Sequence, residues 1–239
     1  MKEVIVVASG KGGVGKTFFT ANMGAKLAQK GFSVVLIDLN IGLRSLDIYL
    51  GMENRVVYDI SDVTSGTCRL KQALIKDRRL NKLYLMSAPQ NKSKADISPE
   101  QLTELCNELK ETFDYIIIDA PSGLEKGFTL AATPADKAVI ITVPEYAAIR
   151  DADMLDQVLD GMGIENKSVV VNKIMPELYG KGIVPDPLEI SDSLRSPISG
   201  LIPYDLNINI SANMGVPIVL AKGNYIEKNI SNIVESIIR

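Results

Sequence analysis

The chain has 239 residues and a net charge of −3, with 46% hydrophobic and 23% charged residues, which are ordinary values for a globular protein. It contains no histidine, so catalysis by a histidine base and histidine-ligated metal sites are excluded. The negative balance disfavours a strongly basic surface, and we do not expect nucleic acid as a partner. Because no apolar run approaches the roughly 18 residues of a membrane span, we expect a cytoplasmic protein.

Short apolar runs alternate with helical patterns along the chain. In chain order the predicted elements are strand Val4–Ala8, helix Lys16–Lys30, strand Ser33–Asp38, strand Leu83–Ser87, helix Ser98–Lys110, strand Tyr115–Asp119, strand Ala138–Val143, helix Ile149–Asp160, strand Ser168–Val171 and a last helix Tyr225–Arg239. This alternation predicts an α/β fold, a mostly parallel sheet with helices on both faces, in one domain over residues 1–239. Residues 172–197, with four prolines, are expected to form a long mobile connection.

The segment from Gly10 to Thr17 carries the strongest signal, because it satisfies the pattern G-x-x-x-x-G-K-[ST] between a predicted strand and a predicted helix. Glycines let the backbone approach a polyphosphate, and the N–H groups of such a loop form an anion cradle at a helix N-terminus. We expect Lys16 to reach the β- and γ-phosphates and the Thr17 hydroxyl to bind Mg²⁺. The predicted nucleotide-binding residues of this P-loop are Gly10, Lys11, Gly12, Gly13, Val14, Gly15, Lys16, Thr17 and Phe18.

Two further predicted strands end in a carboxylate, at Asp38 and at Asp119. An apolar strand that ends in aspartate downstream of a P-loop is the Walker B pattern. We therefore expect Asp119 to hold Mg²⁺ through a water. Residues 121–123, which follow this strand, would then form a segment that senses the γ-phosphate.

A third strand end concerns the base of the nucleotide. Asn172 and Lys173 resemble the start of the N-K-x-D motif of GTPases, but Met175 stands where the guanine-binding aspartate would be. Methionine cannot take the place of that strong acceptor, so guanine is disfavoured. Asn172 can instead bond the amino group and N7 of adenine. The sequence therefore predicts ATP and ADP, with Mg²⁺, as ligands.

Lys11 adds a second lysine near the start of the P-loop. Here it resembles the signature lysine of the deviant Walker A ATPases, the MinD/ParA family. The resemblance runs from residue 2 to about residue 235, and segments 40–47 (NIGLRSLD), 51–59 and 68–77 favour the MinD branch. It implies a homodimer in the ATP state, in which two subunits enclose two ATP molecules and Lys11 reaches the phosphates of the partner, much like an arginine finger.

Asn40 departs from the family, which usually has aspartate at this position to orient the attacking water. Asparagine keeps the shape but loses the charge and gains an NH₂ donor, so we expect slow hydrolysis. Asp38 remains as a metal-shell or water-positioning carboxylate. By the resemblance, the catalytic residues are Lys11, Lys16, Asp38 and Asn40, the metal residues are Thr17, Asp119 and Asp38, and Asn172, Pro203 and Asp205 surround the adenine.

The resemblance also implies partners. Family members bind a MinC-like inhibitor of division-ring assembly and a MinE-like factor that stimulates hydrolysis, or other polar regulators. The candidate partner-binding residues are Arg44, Arg150, Asp151 and Asp153. The last predicted helix has isoleucines on one face but few cations, so we expect it to pack in the core rather than on a membrane. Peripheral association with the inner face of the cell membrane stays open.

The sequence thus predicts an ATPase switch of the MinD type that takes part in placing the cell-division site. Three alternatives are a hydrolysis-poor scaffold that positions another cargo, a ParA-type DNA-partition ATPase and an iron–sulfur carrier. The net charge and segment 40–47 count against DNA partition. Cys68 and Cys106 both precede Asp119, which counts against a cluster at the dimer face.

Overall fold

The computed structural model describes residues 2–90, 97–221 and 223–239. The strands in these ranges are β1 (Glu3–Ala8), β2 (Val34–Asp38), β3 (Ile75–Lys76), β4 (Leu83–Met86), β5 (Tyr115–Asp119), β6 (Lys137–Thr142), β7 (Lys167–Ile174) and β8 (Ile198–Pro203). The helices are α1 (Lys16–Gln29), α2 (Leu46–Tyr49), α3 (Ile60–Thr64), α4 (Leu70–Ala73), α5 (Pro99–Lys110), α6 (Lys126–Ala132), α7 (Tyr146–Gly161), α8 (Pro187–Asp192), α9 (Leu206–Asn213) and α10 (Tyr225–Ile237).

The strands of the described residues form one sheet, in the order β3-β4-β2-β5-β1-β6-β7-β8. Neighbouring strands are parallel except for β3 and β4, which are antiparallel. Strands β1, β2, β5 and β6 are almost wholly buried, which is why they read as continuous apolar runs. The predicted α/β fold with a mostly parallel sheet is confirmed.

Helices cover both faces of this sheet, as predicted. Successive side chains of a strand point to opposite faces, so Ile5 and Val7 of β1 pack with α1 and α10, whereas Val4 and Val6 pack with α5, α6 and α7. Helix α1 lies very close to β2, because a Cβ at Gly24 would come within 2.5 Å of Leu36. Helix α1 is therefore fixed firmly beneath the loop that precedes it.

The strand order brings the predicted functional residues to one edge of the sheet. Strand β1 lies between β5 and β6, and β2 lies next to β5. Asp38 and Asp119 are direct neighbours in the register of β2 and β5. Because parallel strands end at the same edge, the P-loop after β1 lies at the same edge as both carboxylates and contacts Asp119 through Thr17.

Most predicted elements are confirmed to within a few residues at their ends, but the region after residue 171 differs. Strand β7 continues to Ile174, and residues 172–197 are not a structureless connection, since they include α8. The Asp186 carboxylate accepts hydrogen bonds from the N–H groups of Leu188 and Glu189, and thus caps α8. A six-residue helix is too short to produce a readable hydrophobic period.

The sequence pattern also does not predict β8 or α9. Strand β8 is mostly only partly buried and contains Gly200, where a Cβ would lie 2.3 Å from Ile233 of α10. None of the eight residues of α9, all of which are described, is buried. Without a buried stripe, a helix has no hydrophobic periodicity to detect.

Helix α10 packs in the core, as predicted. Its apolar face belongs to the same buried cluster as α1 and consists of Ile226, Ile230, Ile233, Val234 and Ile237. Among the described residues, no helix has both the length and the apolar character needed to cross a membrane.

Replacing Ile230 with alanine should lower the free energy of unfolding by about 2–5 kcal/mol, because it removes buried atoms and leaves a cavity. Ile230 is fully buried, whereas Asn232 on the same helix is exposed. Asn232→Ala is therefore the control and should change the value by less than about 0.5 kcal/mol. Urea denaturation monitored by circular dichroism measures both. Equally small effects would contradict the core position of this face.

Candidate functional site

The P-loop joins the end of β1 to the start of α1 through two glycines in the left-handed region. Gly13 has φ 76° and Gly15 has φ 103°, a conformation that side chains strongly disfavour. Gly15 is the N-cap residue of α1 and has no side chain to cap it. The first N–H groups of this 14-residue helix are thus left for another acceptor, as an anion-binding loop requires.

Gly10 brings the P-loop against the first turns of α7. A Cβ at this position would lie 2.6 Å from the carbonyl oxygen of Asp151. Such an approach leaves no room for any other residue type unless α7 moves. The loop and the N-terminal part of α7 are therefore in backbone-to-backbone contact.

The Lys16 side chain is buried between the P-loop and the segment after β5. Its ammonium donates hydrogen bonds to Ser9 Oγ at 3.0 Å and to Ser122 Oγ at 2.7 Å. Burial lowers the pKa of Lys16, and the charge of Asp119 opposes this shift. Lys16 thus links the loop to residues 121–123, which the sequence predicts to sense the γ-phosphate.

Lys11 points in a different direction from Lys16. Its side chain is 43% exposed and its ammonium forms an ion pair with Glu145. Glu145 is the residue immediately before α7. The two lysines of the loop therefore have separate surroundings, one inside the site and one at its surface.

Asp119 lies at the centre of a cluster of oxygen and amide groups. Its carboxylate accepts hydrogen bonds from Thr17 Oγ1 at 2.7 Å, Thr20 Oγ1 at 3.2 Å and Asn40 Nδ2 at 2.9 Å. Burial raises the pKa of Asp119 to about 7, and the neighbouring Asp38 adds to the shift. The structure brings Thr17 and Asp119 together, and their oxygen donors fit the ligand preference of Mg²⁺.

Asp38 is fully buried and holds the segment that follows it. Its Oδ1 accepts from the Asn40 N–H at 2.8 Å, and its Oδ2 accepts from the N–H groups of Ser45 and Leu46, both at 3.0 Å. Burial raises the pKa of Asp38, and these hydrogen bonds oppose the shift. This geometry favours an anchoring role over the metal-ligand and water-positioning roles that the sequence suggests.

Asn40 connects the two carboxylates. Its side-chain NH₂ donates to Asp119 at 2.9 Å and to Asp38 Oδ1 at 3.2 Å. An aspartate could not make either bond, since an ionised carboxylate only accepts hydrogen bonds. The residue that departs from the family pattern thus contacts both of the predicted metal-site carboxylates.

A pocket lies beside the P-loop where the base of a nucleotide would be expected. The predicted residues that line it are Gly13, Gly15, Phe18, Asn172, Pro203 and Asp205, and the residues that sequence reasoning missed are Tyr49, Lys173, Tyr204, Ile208, Asn209 and Ala212. Lys173 belongs to β7, next to Asn172 in the motif already noted, whereas the other missed residues come from α2, α9 and the segment between β8 and α9, where no motif marks them. The pocket is continuous with the P-loop because both contain Gly13 and Gly15.

Asn172 and Lys173 brace the P-loop. The Asn172 side chain donates to the Val14 carbonyl at 2.8 Å and accepts from the Lys173 N–H at 2.9 Å. The Lys173 ammonium donates to the Gly13 carbonyl at 2.8 Å, and Lys173 itself has φ 59°. These bonds favour a role in holding the loop, whereas the sequence suggests that Asn172 reads adenine directly.

Asp205 is tied into the helix on the far side of the pocket. One of its oxygens caps α9 by accepting from the Asn207 N–H at 2.7 Å, and the other accepts from the Tyr225 hydroxyl at 2.6 Å. Pro203 is the last residue of β8. Both therefore line the pocket as predicted, but Asp205 already has two partners within the chain.

The four candidate partner-binding residues lie in two different environments. The Arg150 side chain is 76% exposed, next to Asp151, and Asp153 pairs with Arg195 at 3.3 Å. Arg44 is only 16% exposed and binds the buried Asp47 at 2.7 Å. Arg44 therefore supports the loop structure, and the prediction that it belongs to a partner surface is not supported by this burial.

Comparison with known proteins agrees with this arrangement. The sequence model of a family described as ParA, NUBPL iron-transfer P-loop NTPase, matches residues 1–238. The septum site-determining protein MinD of Synechocystis is 48% identical over 92% of this chain and 83% of its own length.

Two solved structures are similar over nearly the whole fold. The MinC:MinD cell division protein complex of Aquifex aeolicus contains a chain with 42% identity and a TM-score of 0.91, which covers 99% of this chain and 96% of that one. The septum site-determining protein MinD of Pyrococcus horikoshii, complexed with Mg-ADP, has 27% identity, a TM-score of 0.88 and coverage of 99% and 96%.

Replacing Asp38 with alanine should lower the free energy of unfolding of the nucleotide-free chain by about 3 kcal/mol, because it leaves buried N–H groups without acceptors. Glu53→Ala, at an exposed position in the same part of the chain, is the control. Urea denaturation in EDTA measures both and keeps metal binding out of the comparison. Unchanged stability in Asp38→Ala would contradict the anchoring role and return Asp38 to the set of metal residues.

Proposed function

This chain belongs to the MinD branch of the ParA-like family of P-loop ATPases, and we propose that it works as a switch that dimerises around ATP and Mg²⁺. As a MinD-type ATPase, it takes part in placing the cell-division site. The observation that carries the proposal is the meeting of Lys16, Thr17 and Asp119 at the end of the P-loop. We propose that residues 1–239 act as one P-loop ATPase domain, which the shared sheet supports.

At the phosphate end, each group has a role that its position supports. The P-loop N–H groups and Lys16 would bind the phosphates, with Lys16 moving from Ser122 toward the γ-phosphate. Thr17 would hold Mg²⁺ directly and Asp119 would hold it through a water. Bound there, Mg²⁺ would neutralise charge on the phosphate oxygens.

At the base end, the pocket beside the P-loop would take adenine. Phe18 and Pro203 would supply apolar contacts, and Asn172 and Lys173 would keep Gly13 and Val14 in place. The Mg-ADP complex of the Pyrococcus horikoshii MinD supports a nucleotide with Mg²⁺ as the ligand class. Recognition of ATP and ADP by these particular residues is our proposal.

The dimer would be completed by Lys11. Its exposed side chain contacts Glu145 instead of the interior of its own site, so it is free to exchange this partner for the phosphates of a second subunit. An exposed ion pair of this kind contributes little stability, so breaking it would cost little free energy. Lys11 would then stabilise charge in trans, in the manner of an arginine finger.

Hydrolysis would be slow because of Asn40. The position next to Asp119 suits a group that orients the attacking water, but the Asn40 amide presents its donors to the two carboxylates. Loss of a general-base-type group costs about two to four orders of magnitude in typical enzymes. The chain would accordingly stay in the ATP-bound dimer longer than one with aspartate at this position.

The same cluster gives the switch its moving parts. Asp38 anchors residues 40–46, and Lys16 contacts Ser122. Entry of a γ-phosphate would draw Lys16 away from Ser122. It would also order residues 40–46 and residues 121–123, and loss of the γ-phosphate would reverse both changes. The dimer would form when these two segments become ordered and would dissociate when they relax.

Partners would bind next to this region. The Aquifex aeolicus complex supports a MinC-type partner, and we propose the exposed start of α7, with Arg150, Asp151 and Asp153, as its contact. A MinE-like regulator could use the same face, since Gly10 couples α7 to the P-loop. Peripheral membrane association at the inner face of the cell membrane is part of the proposal for the assembled dimer.

An iron-transfer role is disfavoured by the cysteines. The matching family description includes iron transfer, and such a role needs thiolates at an accessible site. Cys106 is buried in α5, and burial raises its pKa to about 12. Cys68 is partly buried and lies just before α4, and the described residues contain no group of three or more Cys, Asp or Glu side chains that could hold a metal ion.

The test of the whole proposal is size-exclusion chromatography with light scattering, together with phosphate release, in ATP–Mg²⁺ and then in ADP–Mg²⁺. We expect a dimer in ATP, a monomer in ADP and slow release. A monomer in both nucleotides would contradict the dimerising switch.

Replacing Lys11 with alanine should abolish the ATP-dependent dimer but leave ATP binding largely intact, because Lys11 lies outside its own phosphate site. Lys71→Ala, which removes an exposed lysine elsewhere, is the matched control and should dimerise normally. Light scattering reports the dimer and calorimetry reports binding. An unaltered ATP-dependent dimer in Lys11→Ala would contradict the proposal that Lys11 binds the phosphates of the second subunit.

Replacing Asn40 with aspartate should raise the rate of phosphate release by about 100-fold or more, because it restores a carboxylate that can orient water. It should also lower the stability of the Mg²⁺-free chain, since three carboxylates would then lie together. Single-turnover phosphate release and denaturation with and without Mg²⁺ measure these effects. No gain in rate would show that another group orients the water.

A further inference from the structure

The pocket beside the P-loop has two walls from distant parts of the chain. One wall carries Tyr49, the last residue of α2, and the other is formed by Ile208, Asn209 and Ala212 of α9. Helix α2 has only four residues, and α9 buries none of its eight, all of which are described. Tyr49 and Ile208 pack against the core but are only partly buried, so apolar burial holds α9 at a fixed distance from α2 only weakly.

The two walls touch where each helix ends. Gly51 and Gly215 meet backbone to backbone, with φ values of 62° and 63°. A Cβ at Gly215 would lie 2.6 Å from the Gly51 Cα, and a Cβ at Gly51 would lie 2.9 Å from the Gly215 carbonyl oxygen. The contact is closer than any side chain would allow, and no backbone hydrogen bond joins the two glycines.

Arg79 supplies hydrogen bonds that hold the two walls together. Its guanidinium donates one hydrogen bond to the Gly215 carbonyl at 2.9 Å and another to the Leu50 carbonyl at 2.6 Å. Leu50 is the C-cap residue of α2, and Gly215 lies two residues beyond α9. One side chain thus joins the ends of both walls.

The guanidinium is itself held in place by the turn between β3 and β4. Asp77, which is 2% exposed, pairs with it at 2.8 Å. The same carboxylate accepts from the backbone N–H groups of Arg79 at 2.6 Å and Leu80 at 2.9 Å. The flat fork of an arginine can serve an aspartate and two carbonyls at once, which a lysine ammonium cannot do with the same geometry.

We propose that Arg79 is a positioning residue for nucleotide binding, which clamps the end of α2 to the end of α9 and so sets the width of the base pocket. The inference rests on the proposed function, because it takes this pocket to be the base site. Arg79 makes no hydrogen bond to the P-loop or to the pocket lining, since its side-chain partners are Asp77, Leu50 and Gly215. It acts through Leu50 and Gly215, and the phosphate site should not depend on it.

The experiment compares two probes that differ by the adenosine group. ADP–Mg²⁺ occupies both ends of the site, and pyrophosphate–Mg²⁺ occupies only the phosphate end. For Arg79→Ala we expect the affinity for ADP to fall about tenfold, a loss of about 1.4 kcal/mol, with the affinity for pyrophosphate unchanged. Arg78→Ala, at the adjacent exposed position, is the matched control and should bind both probes like the wild type. Calorimetry of the full chain gives all six constants.

Arg79→Lys separates positioning from folding. It keeps a positive charge for Asp77 but loses the fork, so it should fold and still bind ADP several-fold more weakly. Equal losses for both probes, unchanged ADP affinity in both Arg79 variants, or loss of the folded state in both would each overturn the clamp. Failure of the wild type to bind ADP would instead overturn the proposed function, and the clamp with it.

Discussion

Two buried carboxylates lie side by side in this structure, and the groups around them must compensate their charge. Asp38 and Asp119 end adjacent strands in direct register, and neither can stay charged without strong compensation. The charge of Asp38 is compensated by backbone N–H groups of the segment that follows it, and residues 40–46 therefore fold around its carboxylate. Asp119 is compensated by two hydroxyls of α1 and by Asn40. These bonds join the start of α1 and the segment after β2 to the ends of the two strands.

The compensation also divides the site into a fixed part and an exchangeable part. The P-loop is fixed, because its glycines are pressed against Asp151 and Asn172 and its carbonyls are held by Asn172 and Lys173. The contacts of Lys11 with Glu145 and of Lys16 with Ser122 are exchangeable, since each joins a cation to a group that phosphate oxygens could replace. A switch needs both kinds of contact, a frame that does not move and bonds that a ligand can take over.

Sequence patterns predicted the sheet and the meeting of the P-loop with Asp119, because both depend on local chemistry. The P-loop follows from glycines and a lysine at fixed spacing, and Asp119 from its place after an apolar strand. The base pocket was only half predicted, since Tyr49, Asn209 and Ala212 reach it through tertiary packing of helices without hydrophobic periodicity. The burial of Arg44 against Asp47 could not be foreseen either, because a solvated arginine and a paired one look the same in a sequence. Asp38 kept its predicted place, but its hydrogen bonds assign it an anchoring task.

The short strand β3 at one edge of the sheet has a consequence for whether another chain can extend the sheet there. Strand β3 has two residues and runs against the direction of β4, so it covers part of an edge that would otherwise display free N–H and carbonyl groups. A short reversed strand offers almost no template on which another chain could add. The sheet therefore stops growing at this side, where another chain would find little backbone on which to extend it.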